Sequence, residues 1–323
     1  MNNKYKKKFW ITLFIINSLI IFIVVVFNQK DYSLNQKQKS NLIGLSYMTM
    51  NNEFYKIISE EIISKIESEG DRIIMRDPAL SIDRQIEQID EMLKMDIDVL
   101  VLTPVDKEKL NNILKKAKKK GVYIVVLDTD ISDHNLVDCT IRSDNYDAGK
   151  MIGEYFLSQC KENANVVIMT HETTQSGNER VKGFVDYVSC QNNINIVEYI
   201  ECEGQTEIAM PKMKEFIDKK ITFDNVFCLN DLASVGVVAA LEENNMLEKV
   251  DVYGVDGSPD AKALIEEGMI KASAAQFPTE IGSKAAEVIY RLLNGEVVEK
   301  DIYIPVKLIT KENLEQFGID RWQ

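Results

Sequence analysis

Short apolar runs, each ending in polar residues that lead into helically spaced apolar positions, recur along the chain. LIGLSYMTMNNEFY at 42–55, YIVVLDTD at 123–130, NVVIMT at 165–170 ahead of NERVKGF, NVFCLND at 225–231 and VYGVDGSPD at 252–260 share this form. Continuous apolar runs predict strands buried on both faces, and apolar residues three and four apart predict helices. The first unit is a strand over 42–47 and a helix over 53–69 carrying Ile57, Ile58, Ile62, Ile63 and Ile66. Strands at 72–75, 98–103 and 122–128 alternate with helices at 82–95 and 106–120. A second series opens with a helix at 145–161. It continues through strands at 165–169, 195–200, 225–229, 250–255 and 270–276, with helices at 178–190, 206–219, 231–243, 259–268 and 278–294, to a last strand within 302–310. The alternation predicts an α/β protein with mostly parallel sheets covered by helices. There are too many strands for one compact sheet, so two doubly wound lobes with a cleft between them are expected. Ligands of open α/β sheets bind outside the carboxyl ends of the strands. The polar residues at those ends are therefore the candidate site.

The pattern differs before the first strand. Lys4, Lys6, Lys7 and Lys8 precede an uncharged run from Phe9 to Phe27, long enough to cross a bilayer as a helix. Lysines on the amino side place residues 1–8 in the cytoplasm. Residues 9–27 are expected to form the transmembrane anchor, residues 28–40 (NQKDYSLNQKQKS) a polar linker, and the remainder an extracytoplasmic domain in a single-pass cell-membrane protein. A secretory signal peptide would have a shorter apolar region and a small-residue cleavage site. Here the run ends VVVFNQKDYS, and no cysteine precedes Cys139, so a retained anchor is expected.

The 323 residues have room for two domains, and 45% hydrophobic content supports full cores. A formal net charge of −13 disfavours nucleic acid or an anionic membrane surface as partner. The cluster Lys115, Lys116, Lys118, Lys119 and Lys120 ahead of Gly121 reads as a helix C-terminus. Five cysteines without a C-x-x-C, and only His134 and His171 as histidines, give no metal or other cofactor site. The cysteines read as small buried side chains, with one disulfide as the alternative. The chain contains no G-x-x-x-x-G-K, G-x-S-x-G or H-E-x-x-H, so no catalytic residue and no enzyme is expected. An acid/base pair from Asp128 and Asp256 in a sugar-modifying enzyme is the lesser reading. An apolar span, not a helix-turn-helix, precedes the first strand, which argues against a transcription factor.

Each candidate site residue also has a structural reading. Asn52 is placed to cap a helix, while Phe54 and Tyr55 could staple that helix or offer flat apolar faces to a ring. Asp128 closes a strongly apolar strand, where a carboxylate can accept two hydroxyls. Arg180, read at a helix start, needs a compensating anion, with Glu179 or Glu172 as surface candidates. Asn230 can cap a helix, and Asp256 lies between Gly254 and Gly257, where a tight turn is easy. Gln276 precedes Phe277 and Pro278 and is a hinge candidate.

Taken together, NNEFY (51–55), SDNYDAGK (143–150), NERVKGF (178–184), NDLASVG (230–236), GVDGSPD (254–260) and AAQFPTEIG (274–282) resemble the ribose-type periplasmic sugar-binding proteins. The resemblance runs in order from Asn41 to about Thr310. It implies the type 1 fold of that family, with three hinge crossings near Ser143–Asp144, Gln276–Phe277 and Pro305–Val306. The first lobe would comprise 41–143 and 277–305, and the second 144–276 and 306–323. It also implies a ligand-triggered closure. Asn52, Phe54, Tyr55 and Asp128 would bind from the first lobe, Arg180, Asn230 and Asp256 from the second, and Gln276 from the hinge. Two departures stand out. Thr129 occupies the place where the family often has Arg, and Glu203-Gly204-Gln205 replaces a common stacking aromatic. One cation and one stacking face are thereby lost, so Thr129 is included in the site as a determinant of which sugar fits. A pentose such as xylose or ribose, a hexose, or a non-sugar polar ligand are the expected classes. The expected membrane partner is a sensor histidine kinase or an ABC permease.

Overall fold

The computed structural model describes residues 40–160 and 163–323, together with Ser18. The expected basic segment, membrane anchor and nearly all of the linker lie outside the described residues. Among the described residues no helix is long and apolar enough to cross a membrane.

Two six-stranded sheets organise residues 42–323. The first holds β1 (Leu42–Ser46), β2 (Arg72–Arg76), β3 (Val99–Leu102), β4 (Tyr123–Leu127), β5 (Cys139–Ser143) and β11 (Asp301–Ile304), in the order β11-β5-β4-β3-β1-β2. All its pairings are parallel. The second holds β6 (Ala164–Thr170), β7 (Ile194–Glu201), β8 (Asn225–Cys228), β9 (Asp251–Asp256), β10 (Ala272–Ala275) and β12 (Lys307–Thr310), in the order β12-β10-β9-β8-β6-β7. Only β12 runs antiparallel there. Parallel strands need crossover helices, and these bury both faces of each sheet. VLVL of β3 and NVFC of β8 are buried at every position, which is why they carry no alternation.

The first lobe carries α1 (Glu53–Ser68), α2 (Ile82–Lys94) and α3 (Asn111–Lys119). The second carries α4 (Asn145–Gln159), α5 (Gln175–Val188), α6 (Thr206–Asp218), α7 (Asp231–Glu243) and α8 (Pro259–Glu267). The last helix, α9 (Pro278–Leu293), returns to pack Ile281, Ala285, Val288 and Ile289 against the first-lobe core of Ile43, Leu45, Ile58 and Ile62. The chain thus passes between sheets after β5, after β10, and between β11 and β12.

The structure departs from the sequence expectations in three places. CTIRS of β5 forms a fully buried strand, although its polar residues hide any apolar run. The single last strand is two strands, one in each sheet, separated at Pro305, which has no N–H for a ladder. Helix α5 begins at Gln175, capped by Thr174, whose side chain accepts from Gly177 N. Arg180 therefore sits inside the helix and not at its start. Cys139, Cys202 and Cys228 are buried free thiols, as expected for small apolar side chains, and Cys190 is an exposed one.

Helices α4 and α5 touch backbone to backbone. A Cβ on Gly149 would lie 1.8 Å from the carbonyl oxygen of Arg180, and one on Gly183 would lie 2.0 Å from that of Tyr146. The C-terminal tail reaches both lobes. Lys262 of α8, fully buried, donates to the carbonyl oxygens of Gly318 (2.6 Å) and Arg321. Trp322 packs its ring 5.7 Å from that of Phe54 and donates to Glu53 Oε2 at 3.0 Å.

Candidate functional site

The carboxyl ends of both sheets meet at a cavity lined by Asn52, Phe54, Tyr55, Asp128, Arg180, Asn230, Asp256 and Gln276, eight of the nine residues singled out in the sequence. Thr129 does not line it. Its hydroxyl is fully buried and accepts from the backbone N–H groups of Gln175 (2.9 Å) and Ser176 (3.0 Å), joining the end of β4 to the first turn of α5. A short hydroxyl side chain satisfies those helix-start donors where a longer residue would not. Met48, Thr49, His171, Thr174, Ser176, Glu203, Gln205 and Leu229 complete the lining. All but Ser176, in the first turn of α5, lie in loops just past the strands, and no apolar periodicity marks them.

Helix capping and site building use the same residues. Asn52 Oδ1 accepts from Phe54 N at 3.0 Å, and Asn230 Oδ1 accepts from Ala233 N at 3.0 Å. The amide nitrogen of Asn230 donates to Gly204 O at 3.0 Å. Each cap fixes its side chain at the cavity wall.

The polar centre is a chain of buried charges. Arg180 donates through Nε to Asn145 Oδ1 (2.8 Å) and through Nη1 to Asp256 Oδ1 (3.2 Å) and Leu229 O (3.0 Å). Its Nη2 stands 3.9 Å from Asp128 Oδ1 on the opposite lobe. Its anions are therefore the cavity aspartates. Glu179 instead pairs with Arg142 at 2.7 Å. Tyr55 OH donates to Asp128 Oδ2 at 3.0 Å, and Gln276 Nε2 donates to Asp256 Oδ1 at 2.6 Å. Two buried acceptors in the lining, Asp128 Oδ1 and Gln276 Oε1, have no hydrogen-bond partner among the described residues. Asn145, missed as a site residue, orients both Arg180 and the Asp128 carbonyl, to which its Nδ2 donates at 3.4 Å.

Both cavity aspartates hold backbone conformations that L-residues rarely adopt, with φ of +66° at Asp128 and +136° at Asp256. Such strain costs on the order of 1–3 kcal/mol per residue and clusters at functional sites. Burial raises the pKa of Asp128, against the pull of Arg180. Burial also raises Asp256 to about 6, with Arg180 opposing. Behind them Asp231 accepts from Ser258 N and Ser273 Oγ, both at 2.8 Å, and burial followed by the Asp256 charge pushes it up to about 8. Burial lowers the pKa of His171.

These shifts predict a pH dependence of stability. A carboxyl whose folded pKa exceeds its unfolded value binds more protons when folded, so stability falls as pH rises through that interval. Between about pH 6.5 and 8 the dominant group is Asp231, so unfolding free energy is expected to fall by about 1–2 kcal/mol across that window. Denaturant midpoints at the two pH values measure the fall. Asp231→Asn is expected to flatten it, and an unchanged slope in that variant would assign the effect elsewhere.

The cavity measures about 40 Å³ to the centre of a water-sized sphere. A space of that size suits a small solute and excludes a polymer. The arrangement can clasp a small polar solute between two lobes.

A family model described as the periplasmic binding protein domain matches residues 43–297. Among curated proteins, the ribose import binding protein RbsB of Salmonella typhimurium is 25% identical over 271 residues, covering 84% of this chain and 90% of its own. The D-xylose-binding periplasmic protein of Haemophilus influenzae is 26% identical over 275 residues, covering 83% and 82%. Among solved structures, a solute-binding protein of an ABC transporter from Bacillus halodurans with bound myo-inositol superposes with a TM-score of 0.83. It is 20% identical, over 89% of this chain and 100% of that one. An arabinose-transporter binding protein from Shewanella gives a TM-score of 0.79 at 21% identity, over 85% and 94%. At such identities the structural likeness establishes the two-lobed parallel-sheet fold.

Proposed function

Because the chain belongs to the periplasmic binding protein family, a family of solute-binding proteins and not of enzymes, we propose that its cavity takes one small sugar, a pentose such as xylose or ribose. The lobes close on it. The carrying observation is the pair of unpartnered buried acceptors, Asp128 Oδ1 and Gln276 Oε1, beside the Arg180 guanidinium and the Phe54 ring. A sugar hydroxyl both donates and accepts, so it suits a wall that mixes carboxylates, amides and a guanidinium. A sugar's C–H face suits an aromatic ring. Relatives named for ribose and xylose support the ligand class.

In this reading the domain is extracytoplasmic, and the run Phe9–Phe27 holds it to the membrane. The short polar linker suits a fixed partner in the same membrane: a sensor histidine kinase that reads the closed form, or an ABC permease that accepts the sugar.

A ligand that binds only the folded state raises apparent stability by about 2.7 kcal/mol at a hundredfold excess over its Kd. The detergent-solubilised full chain, screened by thermal shift against pentoses, hexoses and non-sugar solutes, is expected to respond to one or two sugars. A shift with a non-sugar polar solute alone would transfer the site to that class. No shift with any member would sink the reading.

A further inference from the structure

We propose that the ligand of this cavity carries a protonated amine, as an amino sugar or aminocyclitol does, with its ammonium against Asp128. The proposal rests on the sugar-receptor reading above and replaces its neutral pentose by an aminated sugar or cyclitol.

The argument is a count of buried charge. Asp128 and Asp256 are buried carboxylates of the lining, and Glu203 stands exposed at the edge. Arg180 is the one guanidinium or ammonium among the lining residues, and burial favours the neutral form of His171. Arg180 is shared between the two carboxylates, one cation against two anions, and its hydrogen bonds go elsewhere: Nη1 serves Asp256 and Leu229 O, and Nε serves Asn145. Only Nη2 approaches Asp128, and at 3.9 Å it is beyond hydrogen-bonding distance. Arg142 is held by Glu179 and the Tyr303 hydroxyl. Thr129, next to Asp128, is neutral and bonded to α5. Asp128 is left with a single hydrogen bond to its carboxylate, from Tyr55.

Helix N-termini face the cavity, and one of them serves an aspartate: Asp231 N donates to Asp256 Oδ2 at 3.4 Å. They do not make it an anion site, because Asn52, Thr174 and Asn230 already take N–H groups of the first turns. The open groups are acceptors, Asp128 Oδ1 and Gln276 Oε1. A hydroxyl can donate to one of them but leaves the lining with one carboxylate more than it has cations. An ammonium brings three donors, no acceptor and the missing positive charge. Charge-assisted hydrogen bonds are the stronger kind, and sugar phosphates and sugar acids are disfavoured by the same count.

The test is calorimetric titration of the full chain at neutral pH with matched sets: glucose, galactose and mannose, their 2-amino-2-deoxy forms, and the N-acetylated forms, with myo-inositol and an aminated inositol beside them. At least one amine is expected to bind about tenfold or more tighter than its parent, with the gain lost on N-acetylation. In Asp128→Asn the amine-to-parent ratio is expected to collapse toward one. Parent sugars binding as tightly as their amines would overturn this inference and leave the sugar-receptor reading standing. Ribose and xylose are titrated beside them: a pentose that binds while no amine does overturns this inference alone, and if nothing binds at all, both fall.

Discussion

Arg180→Met is expected to abolish sugar binding and to lower the stability of the ligand-free protein. The guanidinium ties Asn145, Leu229 O and Asp256 together within the second lobe and faces Asp128 on the first. Removing one partner of a buried ion pair leaves the other charge unpaired at a cost of about 3–5 kcal/mol. Here two aspartates lose their common cation. The two effects can be separated. In the double variant Arg180→Met with Asp256→Asn one of the two unpaired charges is gone, so stability is expected to recover in part while binding stays absent. Denaturant unfolding reads the first quantity and calorimetry with the responding sugar reads the second. Wild-type affinity in the single variant would remove Arg180 from the site. An undiminished stability would show that water reaches the pair and that burial is not the governing term.

Gly149→Ala is expected to cost about 3 kcal/mol or more of stability and to weaken ligand binding at the same time. The added methyl would fall 1.8 Å from the carbonyl oxygen of Arg180, and backbone cannot turn away as a side chain does. Helix α5 would have to move, and Arg180 would move with it. Gly153→Ala, one turn along the same helix, is the internal comparison. There the nearest atoms stand at 3.3–3.4 Å, a tight contact that a shift of a few tenths of an ångström relieves. Alanine also gains helix propensity over glycine by roughly 1 kcal/mol, so that variant is expected to be near neutral. Equal losses at the two positions would mean that helix contact does not set the Arg180 position.

The alternation of buried runs and amphipathic helices made most elements legible, because parallel strands covered on both faces announce themselves as unbroken apolar stretches. The exceptions have physical causes. In β5 the burial of Thr140, Arg142 and Ser143 comes from the neighbouring strands and helices, which no local pattern records. The split of the last strand at Pro305 depends on which sheet each half joins. Eight of the candidate residues converge because strand ends in parallel sheets all point one way. Thr129 did not, since a residue following a strand-end aspartate can turn to either side, and here the bare N–H groups of α5 claimed its hydroxyl. Asn145 was hidden for a related reason. Its role lies in orienting Arg180 and not in lining the wall. His171, Glu203 and Gln205 lie in loops whose course only the tertiary fold sets.

The docking of the tail against Phe54 has an optical consequence. The sequence holds two tryptophans, Trp10 and Trp322. Trp322 leans on a cavity-lining ring of the first lobe while its segment is fastened to Lys262 of the second. Any parting of the lobes has to change the polarity around that indole or pull it from the ring. With Trp10→Phe, Trp322 becomes the sole tryptophan, so under excitation that spares the tyrosines the protein would report its own opening and closing by fluorescence, with no attached dye.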